Sequence, residues 1–457
     1  MTQRSSYRWI VLGMAFLGVF GAIGLGRFGY SAILPSMQEA LGISTAAAGS
    51  LASWNLAGYV LSAAVGGILA SRFGPRVVVT AGSIVAALGM FITGISEGMV
   101  AASGGRFLTG VGAGTVLVPS VALMSAWFDV RRRGMASGIV SSGASLALVI
   151  AGPVVPRIIE NSADDGWRYA WYFFAALTLA MGIVTFIVQR NRPYTAPHAL
   201  AGEGSIWTAE PSKATSVNRG DEGVAATLAA WKPAPVTIRT GSTVGMKNVI
   251  SSRYAWHMGF VYMAFGLAYM IYFTFFQKRL MADLELTSAT AGNLFLIVGV
   301  ASIFCGFLWG AISDRVGRGR ALAGNLLLQG VAAALFAWWP SMPGLVISAL
   351  LCGLTALAVP GIVGAGCGDQ FGPRLASASL GFVTIFIGVG QVVGPYLAGQ
   401  MADSFGSLKY SYVLSAGIFF AGAILAVFLR EAGWAAETRA RGATPSADGQ
   451  SAGRAGA

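Results

Sequence analysis

Long apolar runs separated by short polar segments dominate this chain. Runs of about 20 apolar residues, the length that crosses a hydrocarbon core roughly 30 Å thick, recur from Trp9 to Arg430. The runs of the first half are 9–34, 46–70, 77–97, 99–126, 134–157 and 167–189, and those of the second half are 254–276, 289–313, 321–339, 342–366, 374–401 and 409–430. This pattern predicts an all-α membrane protein with twelve transmembrane helices in two six-helix halves.

The segment between the halves has a different texture. Residues 190–253 mix proline with Gly, Ser, Thr and Ala and show no sustained hydrophobic period, which is typical of a disordered linker. The predicted organisation is an N-terminal six-helix bundle (1–189), a mostly disordered cytoplasmic linker (190–253), a C-terminal six-helix bundle (254–430) and a disordered cytoplasmic tail (431–457).

Composition excludes several classes of function. Hydrophobic residues make up 55% of the 457 and charged residues only 11%, whereas a soluble domain carries about 25% charged residues. The cysteines Cys305, Cys352 and Cys367 lie in or beside apolar runs and show neither a disulfide framework nor a metal-ligand spacing. Because no nucleophile triad, metal cluster or dinucleotide fingerprint is visible, we predict neither an enzyme nor a bound cofactor or metal.

The net charge of +12 follows the loops and not a binding face. If the N-terminus is cytoplasmic, the basic residues concentrate in the inside loops, the linker and the chain ends, which is the positive-inside pattern. We therefore predict a multi-pass protein of the bacterial inner membrane with both termini in the cytoplasm, in contact with anionic lipid. Nucleic acid is not an expected partner, and we expect the chain to act as a monomer.

Two loops in equivalent positions indicate an internal repeat. The segment 67–76 follows the second run and the segment 310–318 follows the eighth, and Arg72 and Arg315 within them are 243 residues apart (315 − 72 = 243). Parallel repeats of this kind place the solute site at the interface of the halves, near the middle of the bilayer. We predict that these loops act in conformational change through Gly67, Arg72, Gly74, Arg76, Gly310, Asp314, Arg315 and Gly317.

At these loops the chain resembles the major facilitator superfamily. The family's loop reads roughly G-x-L-a-D-R-x-G-R-K, and here Ser71 stands where the first copy's acid is expected, while the second copy keeps Asp314. Arg106 followed by a glycine series resembles the family's fourth-helix motif, and Gly152-Pro153 is similar to the fifth-helix motif of antiporters. The resemblance implies a twelve-helix carrier that works by alternating access.

Within that superfamily, the segment 127–138 resembles the monocarboxylate and oxalate/formate carriers. Those relatives often carry a charge in helix eight or eleven, whereas the runs 289–313 and 374–401 have none in their interiors. The resemblance implies a monocarboxylate or related acid as the solute.

Few ionisable residues lie inside the predicted spans. Arg27 is the leading candidate for an anion anchor, because a charge inside a membrane helix is costly and a guanidinium grips a carboxylate with two parallel hydrogen bonds. The alternative is that Arg27 extends outward to the membrane surface. Arg106 is a candidate for proton coupling or for helix packing, and packing is preferred because small residues follow it at Gly110, Gly112 and Gly114.

No acidic residue is expected at mid-membrane, since the Asp and Glu residues fall in loops, linker, tail or helix ends. His257 can exchange a proton near neutral pH, but its place at the start of the seventh run favours a solvated or capping role. If transport is coupled to a proton, we expect that proton to ride on the solute acid or to use an unrecognised polar relay.

Uncharged polar residues complete the predicted binding set, because such groups orient a small ligand in a mostly apolar cavity. Their alternative role is hydrogen bonding between helices, worth about 0.6 kcal/mol each. The predicted substrate-binding residues are Arg27, Tyr30, Asn55, Tyr59, Tyr269, Tyr272 and Gln391.

The sequence thus predicts a secondary carrier for a small organic anion, with a monocarboxylate favoured because one positive charge neutralises a monoanion. Efflux of drugs or amphipathic metabolites is the first alternative, motivated by the antiporter-like fifth helix. A carrier-shaped receptor or sensor that binds solute without moving it is the second.

Overall fold

The computed structural model describes residues 2–128, 130–162, 165–191 and 243–429. The first half contains α1 (Thr2–Val19), a π-helical segment (Phe20–Phe28), α2 (Gly29–Leu41), α3 (Thr45–Phe73), α4 (Pro75–Ile95), α5 (Met99–Trp127), α6 (Val130–Ser141), α7 (Gly143–Glu160) and α8 (Gly166–Val188). The second half contains α9 (Thr243–Ile250), α10 (Arg253–Lys278), a short π-helical turn (Arg279–Asp283), α11 (Ser288–Val316), α12 (Arg318–Trp338), α13 (Met342–Ala356), α14 (Val359–Phe405) and α15 (Lys409–Val427).

The described helices confirm the predicted all-helical membrane fold. Eleven of them are long and apolar enough to cross a bilayer, and the number is twelve if the bent α3 counts as one span. The first span runs without interruption through α1, the π-helical segment and α2. Helical structure continues along α14 through the junction of two spans, Met342–Phe371 and Ala378–Phe405.

Part of the predicted linker is helical, since α9 occupies residues 243–250. The rest of the predicted linker, 192–242, and the predicted tail, from residue 430 onward, lie outside the described residues.

The two halves repeat one another down to their capping residues. Ser44 accepts a hydrogen bond from the amide of Ala47 at the start of α3, and Thr287, which lies 243 positions later, accepts one from Thr290 at the start of α11. Both helices are 29 residues long, and each ends at a glycine with positive φ, Gly74 at +85° and Gly317 at +94°. These matched turns set the angle at which α4 and α12 return across the bilayer.

The positive φ of Gly317 gives the first testable prediction. Gly317→Ala should destabilise the protein by about 1–2 kcal/mol, because an L-residue in the left-handed region places its Cβ against the backbone. Thermal unfolding in detergent measures the effect. Gly324→Ala is the matched control on α12, since its Cβ would meet only ordinary van der Waals contacts with the Trp309 ring at 3.7 Å. Equal melting temperatures for the two variants would contradict the prediction.

Glycines within the π-helical segment and at the start of α2 pack tightly against neighbouring helices. A Cβ at Gly24 would overlap Ala147 of α7, a Cβ at Gly26 would lie 2.8 Å from Thr109 of α5, and a Cβ at Gly29 would overlap Phe174 of α8. π-Helical turns are rare and occur often at functional sites. Arg27 is the one charged residue of this segment, so the packing fixes the backbone from which that side chain extends.

Candidate functional site

A small cavity lies where the first span meets α3, α5 and α10, between the two halves. Its volume is about 10 Å³, which is room for about one water molecule. The lining residues are Arg27, Phe28, Tyr30, Ala52, Asn55, Leu56, Arg106, Met270, Phe273 and Thr274. The site is therefore nearly closed in this conformation, and a larger solute requires the halves to move apart.

Arg27 extends into this region with part of its hydrogen-bonding capacity unused. Its guanidinium carbon lies 4.2 Å from the centroid of the Tyr59 ring, within the range of a cation–π interaction. The hydroxyl of Tyr269, from the other half, faces the same guanidinium. The Nε and Nη2 atoms are buried and have no hydrogen-bond partner. These two atoms form one edge of the guanidinium, the edge that matches the two oxygens of a carboxylate.

Arg106 lines the same cavity and is almost completely buried, at 1% exposure. Its Nη1 donates a 2.6 Å hydrogen bond to the carbonyl of Gly26, and its guanidinium carbon lies 4.4 Å from the Tyr30 ring centroid and 5.2 Å from that of Trp171. Its Nε has no partner. Arg106 thus braces the π-helical segment and also contributes a positive charge beside Arg27.

No carboxylate balances these two charges among the described residues. The cavity lining contains no Asp or Glu. The described ion pairs lie elsewhere and join Arg168 to Asp165, Arg279 to Asp283, and Arg318 to Asp314 and Asp369. Tyr30 donates its hydroxyl proton to the carbonyl of Ala48 at 2.7 Å, so it serves as a neutral phenol. The site is a pocket of net positive charge.

The structure brings most of the predicted binding residues together. Tyr30 and Asn55 line the cavity with Arg27, and Tyr59 and Tyr269 adjoin its guanidinium. Asn55 donates from Nδ2 to the carbonyl of Arg106 at 3.1 Å and keeps Oδ1 unpartnered.

Two predicted binding residues neither line the cavity nor have a recorded contact with the Arg27 guanidinium. Tyr272 faces the interior of the C-terminal half, where its hydroxyl lies 2.7 Å from that of Ser348 and its ring packs against Phe336 and Tyr412. Gln391 is buried on α14 but is not part of the cavity wall.

Sequence reasoning missed the apolar wall and Thr274. The missed lining residues are Phe28, Ala52, Leu56, Met270, Phe273 and Thr274. Helical spacing was the available signal for Ala52 and Phe273, which lie three residues from Asn55 and four from Tyr269 and so share their faces. The same spacing links Leu56 to Tyr59. The remaining missed residues do not have this spacing from the predicted set.

The glycines after Arg106 mark close contacts between helices. A Cβ at Gly110 or Gly114 would overlap the backbone or side chain of α3, and a Cβ at Gly112 would overlap α4. His257 lies apart from the cavity, with Nε2 2.8 Å from the carbonyl of Leu425 on α15.

At the face where α3 begins, hydrogen bonds join the two halves. The Asp403 carboxylate on α14 accepts from the amides of Thr45 and Ala46 at 2.9 and 2.8 Å, at the positive N-terminal end of α3. Lys278 of α10 donates to the hydroxyl of Thr45 at 2.6 Å. We call this cluster of four residues the latch, and the face on which it lies the latch face.

Backbone contacts close the same face. A Cβ at Gly49 would overlap the carbonyl of Pro395, and a Cβ at Gly152 or at Gly292 would overlap the carbonyl of the other. The first pair joins α3 to α14 and the second joins α7 to α11. At each contact, one helix from each half meets the other with no space for a side chain. Any opening of this face must separate both pairs.

The latch predicts a measurable change in access. Asp403→Asn should speed the labelling of an Ala46→Cys reporter by about fivefold, because the charge-assisted bonds to the α3 amides weaken. The buried native cysteines Cys305, Cys352 and Cys367 leave a low background. Glu97→Gln, at an exposed position, is the matched control. Identical labelling rates in both variants would argue against a latch.

The repeated loops at the opposite face differ between halves. In the second copy, Arg318 binds Asp369 through Nε at 2.8 Å and Asp314 through Nη1 at 2.6 Å. In the first copy, Ser71 replaces the acid and donates to the carbonyl of Ile68 in its own helix. Among the residues that the structure describes, ion pairs therefore involve only the second of these two loops.

The first loop is fastened by other groups. The Arg76 amide donates to Asn191 Oδ1 at 2.8 Å, and its Nε donates to the carbonyl of Phe186 at 2.6 Å. Arg72 and Arg315 are exposed. Gly67 and Gly310 lie in α3 and α11, and a Cβ at Gly310 would meet nothing within 4 Å.

Comparison with known proteins gives a consistent family. The model of the Major Facilitator Superfamily matches residues 15–278, and that of an uncharacterised MFS-type transporter, YbfB, matches residues 209–427. The probable sulfoacetate transporter SauU of Cupriavidus necator is 26% identical over 443 residues, covering 94% of this chain and 95% of that protein. A putative tartrate transporter of Agrobacterium vitis is 24% identical over 424 residues, covering 90% and 88%.

Other similarities are to an efflux protein and to a solved structure. The agnestins efflux protein AgnL12 of Paecilomyces divaricatus is 24% identical over 353 residues, covering 76% of this chain and 70% of that protein. The crystal structure of the nucleoside transporter NupG aligns with a TM-score of 0.69 at 13% identity, covering 93% of this chain and all of that one.

Proposed function

Because the chain belongs to the major facilitator superfamily and is a membrane transporter, we propose that its solute is a small organic anion, moved by alternating access between the two halves. The observation that carries the proposal is the unbalanced positive charge of the cavity. A charge inside a membrane protein is costly without a partner, so a site that keeps one unpaired is suited to a ligand that supplies it. Relatives named for sulfoacetate and tartrate support an organic acid.

Arg27 is the proposed anchor for the acid. Its free Nε and Nη2 atoms present two parallel donors, and the Tyr59 ring holds the guanidinium from one side. The apolar lining of Phe28, Leu56 and Phe273 excludes water from around this contact and strengthens it. Since Tyr269, Met270, Phe273 and Thr274 come from the other half, a bound solute touches both halves.

The proposed movement follows from the closed face. For solute to enter from the latch face, the pairs Gly49–Pro395 and Gly152–Gly292 must separate. The hydrogen bonds from the α3 amides to the Asp403 carboxylate must also break. Rocking of the two halves about the central site accomplishes this without changing the fold of either half.

Transport in proteoliposomes tests the proposal directly. Purified protein should take up a radiolabelled small carboxylate or sulfonate in a saturable way, while nucleosides, sugars and cationic amphipaths neither enter nor compete. Liposomes without protein provide the background. Saturable flux of cationic or neutral amphipaths alone would reject the organic-anion assignment.

Efflux of an amphipathic metabolite is the second candidate. The similarity to an agnestins efflux protein favours it, as do the aromatic rings of Phe28, Tyr269 and Phe273 beside the cavity. In that case overexpression should confer resistance that an Arg27→Ala change leaves intact. No comparison favours a receptor or sensor.

We also propose an orientation and a place for a coupled proton. We assign one face of the protein to the cytoplasm of a bacterial inner membrane by the positive-inside rule. It is the face opposite the latch, and it carries Arg72, Arg76, Arg315 and Arg318. Because the described cavity offers no carboxylate, a co-transported proton would travel on the solute itself. Flux that ignores a pH gradient would exclude proton coupling.

A further inference from the structure

We propose that this carrier selects solutes with two acidic groups, and that Arg106 is the second specificity-determining residue. The inference rests on the proposed function and names the class of anion. Its starting observation is that Arg27 and Arg106 line one cavity although they lie 79 positions apart in the chain (106 − 27 = 79). Arg27 comes from the π-helical segment of the first span and Arg106 from α5.

Charge balance separates a dianion from a monoanion. The cavity carries two guanidiniums and no acid, and the side chains that face them from Tyr30, Tyr59 and Tyr269 are phenols, which supply no carboxylate. A monocarboxylate would neutralise one guanidinium and leave the other buried without a counter-charge. A solute with two acidic groups neutralises both, which removes the cost of an unpaired charge in the closed site.

The unpartnered atoms indicate how the two ends would be held. Arg27 offers the complete Nε and Nη2 edge, which is a two-point site for a carboxylate or sulfonate. Arg106 offers its unpartnered Nε, while Nη1 is committed to the Gly26 carbonyl. The second acidic group therefore receives a charge-assisted hydrogen bond from Arg106. The free Oδ1 of Asn55 is an acceptor on the same wall, which suits a hydroxyl on the solute.

The size of the cavity limits the separation of the two acidic groups. With room for about one water molecule in the closed state, the site must widen for any diacid, and the widening is smallest when a short carbon chain separates the two acids. Long dicarboxylates and bulky aromatic diacids would hold the halves apart.

A matched pair of ligands tests this inference on the unmodified protein. Malonate and monomethyl malonate have nearly the same size and differ in one negative charge, and their affinities can be measured by thermal shift of the purified protein at neutral pH. Malonate should bind roughly tenfold more tightly, the ratio expected for one charge-assisted hydrogen bond. Equal or tighter binding of the monoester would overturn the dianion inference while leaving the organic-anion function in place.

Variants assign the preference to Arg106. Arg106→Gln should lower the malonate to monoester affinity ratio to near one, whatever the absolute affinities become. Arg106→Lys, which keeps the charge, should retain a preference for malonate. If Arg106→Gln does not fold, the lysine variant and the wild-type ratio still decide. A ratio unchanged in Arg106→Gln would remove Arg106 from the assignment. If the wild type binds neither anion but does bind a cationic amphipath, the proposed function itself is rejected.

Discussion

Arg27→Ala is expected to abolish saturable anion transport and to weaken anion binding by at least about a hundredfold. Two charge-assisted hydrogen bonds and the charge itself are lost together, and each such bond contributes about 1.5–3 kcal/mol. The variant should still fold, because the Nε and Nη2 atoms of Arg27 make no hydrogen bond in the closed structure. Uptake in proteoliposomes and ligand-induced thermal shift measure the two effects.

Two variants control this experiment. Arg157→Ala removes an exposed arginine at the end of α7 and should leave transport unchanged. Arg27→Lys keeps the charge but not the planar pair of donors, so partial binding is expected. An Arg27→Ala protein with wild-type affinity for small anions would place the binding site elsewhere.

Gly292→Ala is expected to reduce transport at least about tenfold while solute binding persists. The added Cβ would overlap the carbonyl of Gly152, so α7 and α11 cannot close at the latch face. A carrier that cannot close one face cannot complete the cycle, because alternating access requires each face to close in turn. Uptake and equilibrium binding on the same preparation separate the two effects.

Gly306→Ala is the matched control for Gly292→Ala. It lies on the same helix, and its Cβ would meet nothing within 4 Å. This variant should transport normally. Wild-type flux in Gly292→Ala would show that the α7–α11 contact is not part of the moving interface, whereas loss of flux in both variants would indicate a general effect on α11.

The internal repeat could be predicted from the sequence because the turns that mark it depend on residues close together in the chain. Gly74 and Gly317 are needed where a left-handed turn joins two helices, and glycine tolerates that turn without strain. Their equal spacing from Arg72 and Arg315 therefore predicted equivalent loops before any contact was known. The apolar runs predicted the spans for a similar reason, since length and hydropathy are local properties.

The composition of the cavity was only partly predictable. Arg27 and Asn55 could be selected because a polar group inside an apolar run is unusual. Arg106 was assigned to packing, and the structure shows it both bracing Gly26 and lining the cavity. Proximity of residues on α5 and on the first span depends on how the helices rotate and tilt, which a single sequence does not encode visibly.

The same reason explains Tyr272. It lies three residues after Tyr269 on one helix, about 60° away round the helix axis, and its side chain contacts Ser348 and Tyr412 inside the C-terminal half. The π-helical segment was also unpredictable, because its glycine-rich sequence suits an ordinary helix equally well, and tertiary packing decides between them.

The unpaired arginines also have an electrical consequence. An empty site with two guanidiniums is doubly positive, so a membrane voltage acts on its reorientation with about 2.3 kcal/mol per charge for each 100 mV. With a dianion bound, the site is neutral and the loaded step becomes insensitive to voltage. The interior-negative potential of a cell would then hold the empty carrier facing inward and, without an accompanying cation, drive anions out of the cell.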